Sequence, residues 1–134
     1  MTERISLGGL PVGGKEPLIA TGMRWGDLLF LSGRVAIVPE TLEVVTDDFE
    51  EQARMTMDQI VDVLRRAGSG PEYVLRVNCY LTHPGYASIW NQIYAEYFPD
   101  PRPARTTVVS DLVLPGLKIE VEVTAGVPPA AGDG

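Results

Sequence analysis

The chain has 134 residues and a mass of 14.6 kDa, which suits one domain with a core of its own. Its 18 acidic residues outnumber 11 basic ones, for a net charge of −7, and this opposes binding to polyanionic nucleic acid or anionic membranes. A single cysteine, Cys79, excludes an intramolecular disulfide, and with the single histidine, His83, it falls short of the roughly three or four ligands of a zinc site.

Taken in chain order, Leu7–Pro17 is rich in Gly and Pro and reads as a loop. Leu18–Met23 and Asp27–Arg34 read as short strands separated by Arg24-Trp25-Gly26, the second carrying the apolar run LLFLSG and stopping at Gly33. Asp47-x-x-Glu50 has the form of a capping box. Phe49, Ala53, Met57, Ile60, Leu64 and Ala67 then recur at helical spacing, and Gly68 marks the stop. Acidic residues near the start and Arg65 and Arg66 near the end suit the helix dipole.

Tyr73–Leu81 alternates as a strand, with Leu75, Val77, Cys79 and Leu81 on one face and Arg76, Asn78 and Tyr80 on the other. His83 falls in a turn and reads as a surface residue. Tyr86–Phe98 carries an aromatic stripe at helical spacing, ended by Pro99, Pro101 and Pro103. Ala104–Val109 and Leu117–Val127 are strands, the second with Leu117, Ile119, Val121, Val123 and Ala125 inward. The tail, residues 128–134, reads as disordered.

This order predicts an α+β fold, a sheet with two helices on one face. The other face, on which Tyr80, Thr107 and Val109 are placed, is apolar enough to predict oligomerisation through it.

Arg105 is the first residue to single out. A guanidinium in a strand suits a carboxylate bidentately, although an edge-strand charge or a salt bridge is the commoner fate of such a residue. Glu120 is the second. It is a general base if its face is enclosed and a solvated strand charge if not. A plain hairpin would set the two opposite each other. Gly33 serves either a turn with positive φ or a close ligand approach, and Asn91 lies beside the apolar stripe of the second helix. Cys79 and the aromatic stripe read as core. There is no Walker or GxGxxG pattern, no nucleophile elbow, no secretory signal and no apolar run of the ~18 residues that span a membrane, so the expected location is the cytoplasm.

From about Leu18 to Val127 the chain resembles the Rid (RidA/YjgF/UK114) family of imine and enamine deaminases. The resemblance rests on LLFLSG at 28–33, Gln52–Asp58, Asn91–Tyr94 with Phe98, PAR at 103–105, LPG at 114–116 and KIEVE at 118–122. It implies a single domain over residues 1–127 with a Bacillus chorismate mutase-like (YjgF-like) fold, a mixed sheet with two helices packed on one face. It implies a homotrimer with a central β-barrel and clefts between subunits. A further strand would separate 104–109 from 117–127, which sets the hairpin aside.

The implied reaction hydrolyses 2-aminoacrylate or 2-iminopropanoate and related 2-imino acids to 2-keto acids and ammonia, without a metal or organic cofactor. Arg105 would clamp the substrate carboxylate, and Glu120 would hold or activate the water. Gly33 and the backbone of Thr107 would line the pocket, with Ser32 and Asn91 near the cleft. Ile19 stands where archetypal members carry tyrosine, and Thr107 where they often carry cysteine. With Trp25 as a further wall, the cleft becomes more apolar and the imine larger or more apolar. The competing function is a non-catalytic trimer that binds small carboxylates. RNA cleavage, attached to the family by name, is opposed by the charge.

Overall fold

The computed structural model describes residues 2–14 and 16–130. Its elements are β1 (Arg4–Ser6), β2 (Gly9–Leu10), β3 (Ile19–Ala20), β4 (Gly22–Trp25), β5 (Leu28–Leu31), β6 (Ile37–Val38), β7 (Glu43–Val44), α1 (Phe49–Arg66), β8 (Val74–Leu81), α2 (Ala87–Tyr97), β9 (Ala104–Val109) and β10 (Ile119–Gly126). The main sheet has the order β1-β4-β5-β10-β8-β9, and β2-β3 and β6-β7 form two small ladders. All pairs in the main sheet are antiparallel except β8 with β9, whose parallel pairing requires the crossover that α2 provides.

Both helices pack on one face of this mixed sheet. Phe49, Ala53, Met57, Ile60 and Leu64 of α1 and Trp90, Ile93 and Tyr94 of α2 are buried in one core with Leu29, Leu31, Val77, Cys79 and the inward residues of β10. Burying a side chain of this size contributes about 1.5–3 kcal/mol, so the apolar stripes are what hold the layers together.

Local geometry departs from the sequence expectations in instructive places. The cap of α1 is Asp48, one residue beyond the expected box, and its carboxylate accepts from Glu51 N at 3.0 Å. Two overlapping boxes stand in Asp47–Glu51. The chosen register buries Phe49, which stacks on Tyr86 with ring centroids 4.4 Å apart. Leu75 is exposed rather than inward, because a bulge sets Thr124 opposite Arg76 but Ala125 opposite Val74, which takes the core position. The expected first strand divides into β3 and β4. The second of these runs on through Arg24 and Trp25 to a two-residue turn at Gly26-Asp27. Gly68, at φ +82°, follows the last helical residues as expected.

The sidedness of β9 also differs. Its register places Arg105, Thr107 and Val109 beside Val77, Cys79 and Leu81, on the helix side of the sheet. The open face therefore carries Val108 with Tyr80, and its apolar part is Trp25, Leu28 and Phe30, not Thr107 and Val109. In the centre of that face Glu122 accepts from Tyr80 Oη at 2.6 Å and from Asn78 Nδ2 at 3.2 Å. The carboxylate holds the Tyr80 phenol up to about 12. Pro128–Ala130 has no regular structure, and residues 131–134 of the expected tail lie outside the described residues.

Candidate active site

Glu120 lies on β10 between the fully buried Ile119 and Val121, so its side chain leaves the sheet on the open face, opposite Tyr80. It is half-buried, and among the described residues no side-chain hydrogen bond or ion pair satisfies its carboxylate. Burial first, and the neighbouring Glu122 charge second, push its pKa above the usual carboxylate value.

The carboxylate rests against Gly33. A Cβ there would collide with it, and the φ of Gly33 is not positive, so the glycine answers a close approach and not a turn. Gly33 reaches this position because Arg34, next in the chain, bridges to Val121 through N–H···O bonds of 2.8 and 3.2 Å. Ser32 lies alongside, but its hydroxyl donates to Ala20 O at 2.6 Å and fixes the bend between β3 and β4.

Ile19, Gly33 and Glu120 line one cavity of about 290 Å³. The loops that carry Leu42 and Val113–Leu117 add apolar side chains to its wall. Arg34 and Gln59 also line it. Arg34 Nε and Nη2 donate to Gln59 Oε1 at 3.1 and 2.6 Å.

Arg105 is elsewhere. On the edge strand β9 its guanidinium Cζ sits 4.7 Å from the centroid of the Tyr94 ring, a cation–π arrangement that holds the planar group. It is exposed, and among the described residues no carboxylate pairs with it. Thr107 shares its side of the sheet with a buried, unpartnered Oγ1, next to the buried Cys79, whose thiol burial pushes up. Asn91 is exposed, one turn before Tyr94 on α2.

The predicted residues thus form two groups. Ile19, Gly33 and Glu120 meet at one cavity, whereas Arg105, Thr107 and Asn91 belong to the helix side beyond β8. Trp25 stands at the far end of β4 and is a wall of neither. One residue to which the sequence reading assigns no role is Gln52, which opens the Gln52–Asp58 motif and is fully buried. Its amide donates to Thr46 O and Gly116 O and accepts from Lys118 N, each at 2.9 Å, and so fixes the approach to β10. Its place on the apolar stripe of α1 is the signal that could have found it. Among the described residues no cluster of three or more metal-ligating side chains occurs, and no helix is long and apolar enough to cross a membrane.

Residues 17–127 match the profile of a family described as Endoribonuclease L-PSP. Over 103 residues the chain is 40% identical to the mitochondrial protein mmf2 of Schizosaccharomyces pombe, covering 75% of this chain and 80% of that one. The chain belongs to the Rid family. Its fold agrees with a Rid protein structure from Yersinia pestis, YyfA, at a TM-score of 0.82 and 28% identity, covering 93% of this Rid chain and 100% of the other. The chloroplastic Reactive Intermediate Deaminase A of Arabidopsis thaliana is 32% identical over 99 residues, 74% of this chain and 53% of that protein.

Proposed function

We propose that this Rid protein hydrolyses 2-imino acids and their enamine tautomers, of the 2-aminoacrylate and 2-iminopropanoate type, to 2-keto acids and ammonia. The observation that carries the reading is a pair of half-sites, each lacking what the other has. Arg105 is a carboxylate-binding fork without a carboxylate, and Glu120 is a proton acceptor without a donor, set on opposite faces of one sheet. A single chain cannot bring them to one substrate, so the site belongs to a cleft between copies. We take the assembly to be a trimer whose open faces, with Trp25, Leu28, Phe30 and Val108, line a central barrel.

In this site Arg105 binds the substrate carboxylate through two N–H groups. The protonated C=N carbon is already electrophilic, so catalysis requires positioning and proton transfer. Glu120 takes a proton from water as its oxygen bonds to C2. Glu120 returns that proton to the carbinolamine nitrogen. As the C–N bond breaks and ammonia leaves, Glu120 takes the hydroxyl proton, the C=O bond forms and the proton passes to the departing ammonia. Water and imine are consumed in equal amounts, and no electrons change hands.

The ionised form of Glu120 is the active one. kcat/KM is expected to fall as pH drops through its raised pKa, and Glu120→Gln to remove that limb and lower kcat by about 100- to 10,000-fold. Stability runs the other way. With its folded pKa raised, the Glu120 contribution is fully present below the unfolded-state value and is lost as pH rises through the folded one. Glu120→Gln is expected to melt above the parent at about pH 7 and to lose that advantage near pH 4. Thermal melts of both proteins at the two pH values check the sign, and an advantage independent of pH contradicts it.

A second reading is favoured by Ile19. An alkyl side chain there handles no proton, and the binding of a small carboxylate by Arg105 survives without one. RNA cleavage is disfavoured by the net charge of −7 and by the pair Glu120 and Glu122 on the open face.

A further inference from the structure

We infer that the cavity beside Glu120 selects the substrate's side chain, and that the preferred substrates are imines of larger aliphatic amino acids, of the leucine type, over the alanine-derived imine. The inference rests on the deaminase reading of the same site and names its substrate class.

The cavity measures about 290 Å³, and its walls are mainly alkyl: Ile19, Ile37, Leu42, Val113, Leu114 and Leu117. Among the described residues its other polar side chains, Arg34 and Gln59, make hydrogen bonds within the protein. Arg34 donates to Gln59, and Gln59 Nε2 donates to Val35 O at 3.3 Å. Glu120 is the polar side chain of the described lining that makes no hydrogen bond, and it is assigned to the water that attacks C2.

A substrate held by its carboxylate at Arg105 of a neighbouring copy, with C2 at Glu120, has one part left to fill the cavity, the substituent on C2. A methyl group leaves most of the alkyl wall against water. A branched four-carbon substituent covers more of it. Two wall residues are conspicuously wet in the isolated chain, Ile19 at 45% and Val113 at 94% exposure, so an alkyl ligand has apolar surface to remove from solvent. Arg34 Nε and Nη2 and Gln59 Nε2 already donate within the protein, so the alkyl wall sets the preference between side chains.

The test generates imines in situ from D-alanine and D-leucine with a D-amino-acid oxidase and follows their decay with the whole protein. kcat/KM is expected to be at least about tenfold higher for the leucine-derived imine. Leu114→Asn is expected to draw that ratio toward one. Should it fail to fold, Val113→Asn on the exposed loop makes the same test. Equal rates, or a preference for the alanine-derived imine, overturn the inference.

If neither imine is accelerated, the deaminase reading falls, and calorimetry with 4-methyl-2-oxopentanoate against pyruvate still decides the cavity's preference. Tighter binding of the branched keto acid upholds the alkyl selection, and equal or weaker binding overturns it.

Discussion

Arg105→Ala is expected to lower kcat/KM for imine hydrolysis by about a thousandfold while the protein stays folded and assembled. Truncating one partner of a charged, hydrogen-bonded pair costs about 2–5 kcal/mol, and a factor of ten in rate is about 1.4 kcal/mol. The fold should tolerate the change, because Arg105 is exposed and, among the described residues, pairs with no carboxylate that its loss would strand. Arg105→Lys is expected to recover little. An ammonium is a point donor, and it lacks both the planar fork that meets a carboxylate and the flat face that lies on Tyr94. Steady-state kinetics with a light-scattering mass for each variant measures both sides. A variant that loses activity only by losing its assembly contradicts the clamp.

Gln52→Ala is expected to cost about 3–5 kcal/mol of stability, as much as truncating a large core side chain. The side chain is fully buried and satisfies Thr46 O, Gly116 O and Lys118 N at once. Each orphaned backbone group costs about 1–3 kcal/mol, some of it recovered where water can enter. Against a typical total of about 5–15 kcal/mol this is a large share, and it lowers the melting temperature by about 10 °C or more. Activity should suffer beyond the stability loss, because Gly116–Lys118 leads into β10, and Leu117 and Glu120 both stand on that approach. Denaturant titration gives the free energy directly, and a loss under about 1 kcal/mol would mean that the amide is not the clasp it is described to be.

What the sequence made legible follows from where a signal is strong. The stripes of α1 and α2 and the alternation of β10 are set by burial on one side, and a period survives in the residue order. β9 reads Ala-Arg-Thr-Thr-Val-Val and is largely exposed, so nothing in its own residues says which side Val108 or Thr107 takes. Only its pairing with β8 decides, and that placed Thr107 and Val109 with the helices. β1 was not legible at all, because three exposed residues bury too little to leave a pattern.

Arg105 and Glu120 stood out as residue types and through the family motif, but their separation onto opposite faces is a matter of register parity across three strands. Gln52 was visible as part of a motif. That a polar residue on an apolar stripe carries three backbone groups became evident only when the 46–48 and 116–118 segments were brought to it.

The most direct test of the composite site mixes two dead variants. Arg105→Ala and Glu120→Gln are purified separately, unfolded, combined in equal amounts and refolded together, and imine hydrolysis is measured against each variant refolded alone. If every site draws its arginine from one copy and its glutamate from another, about one site in four receives both native residues, and about a quarter of the parental activity returns. If Arg105 and Glu120 must come from the same chain, or if only one of them serves the reaction, the mixture is no more active than its components, and the shared-site account is contradicted.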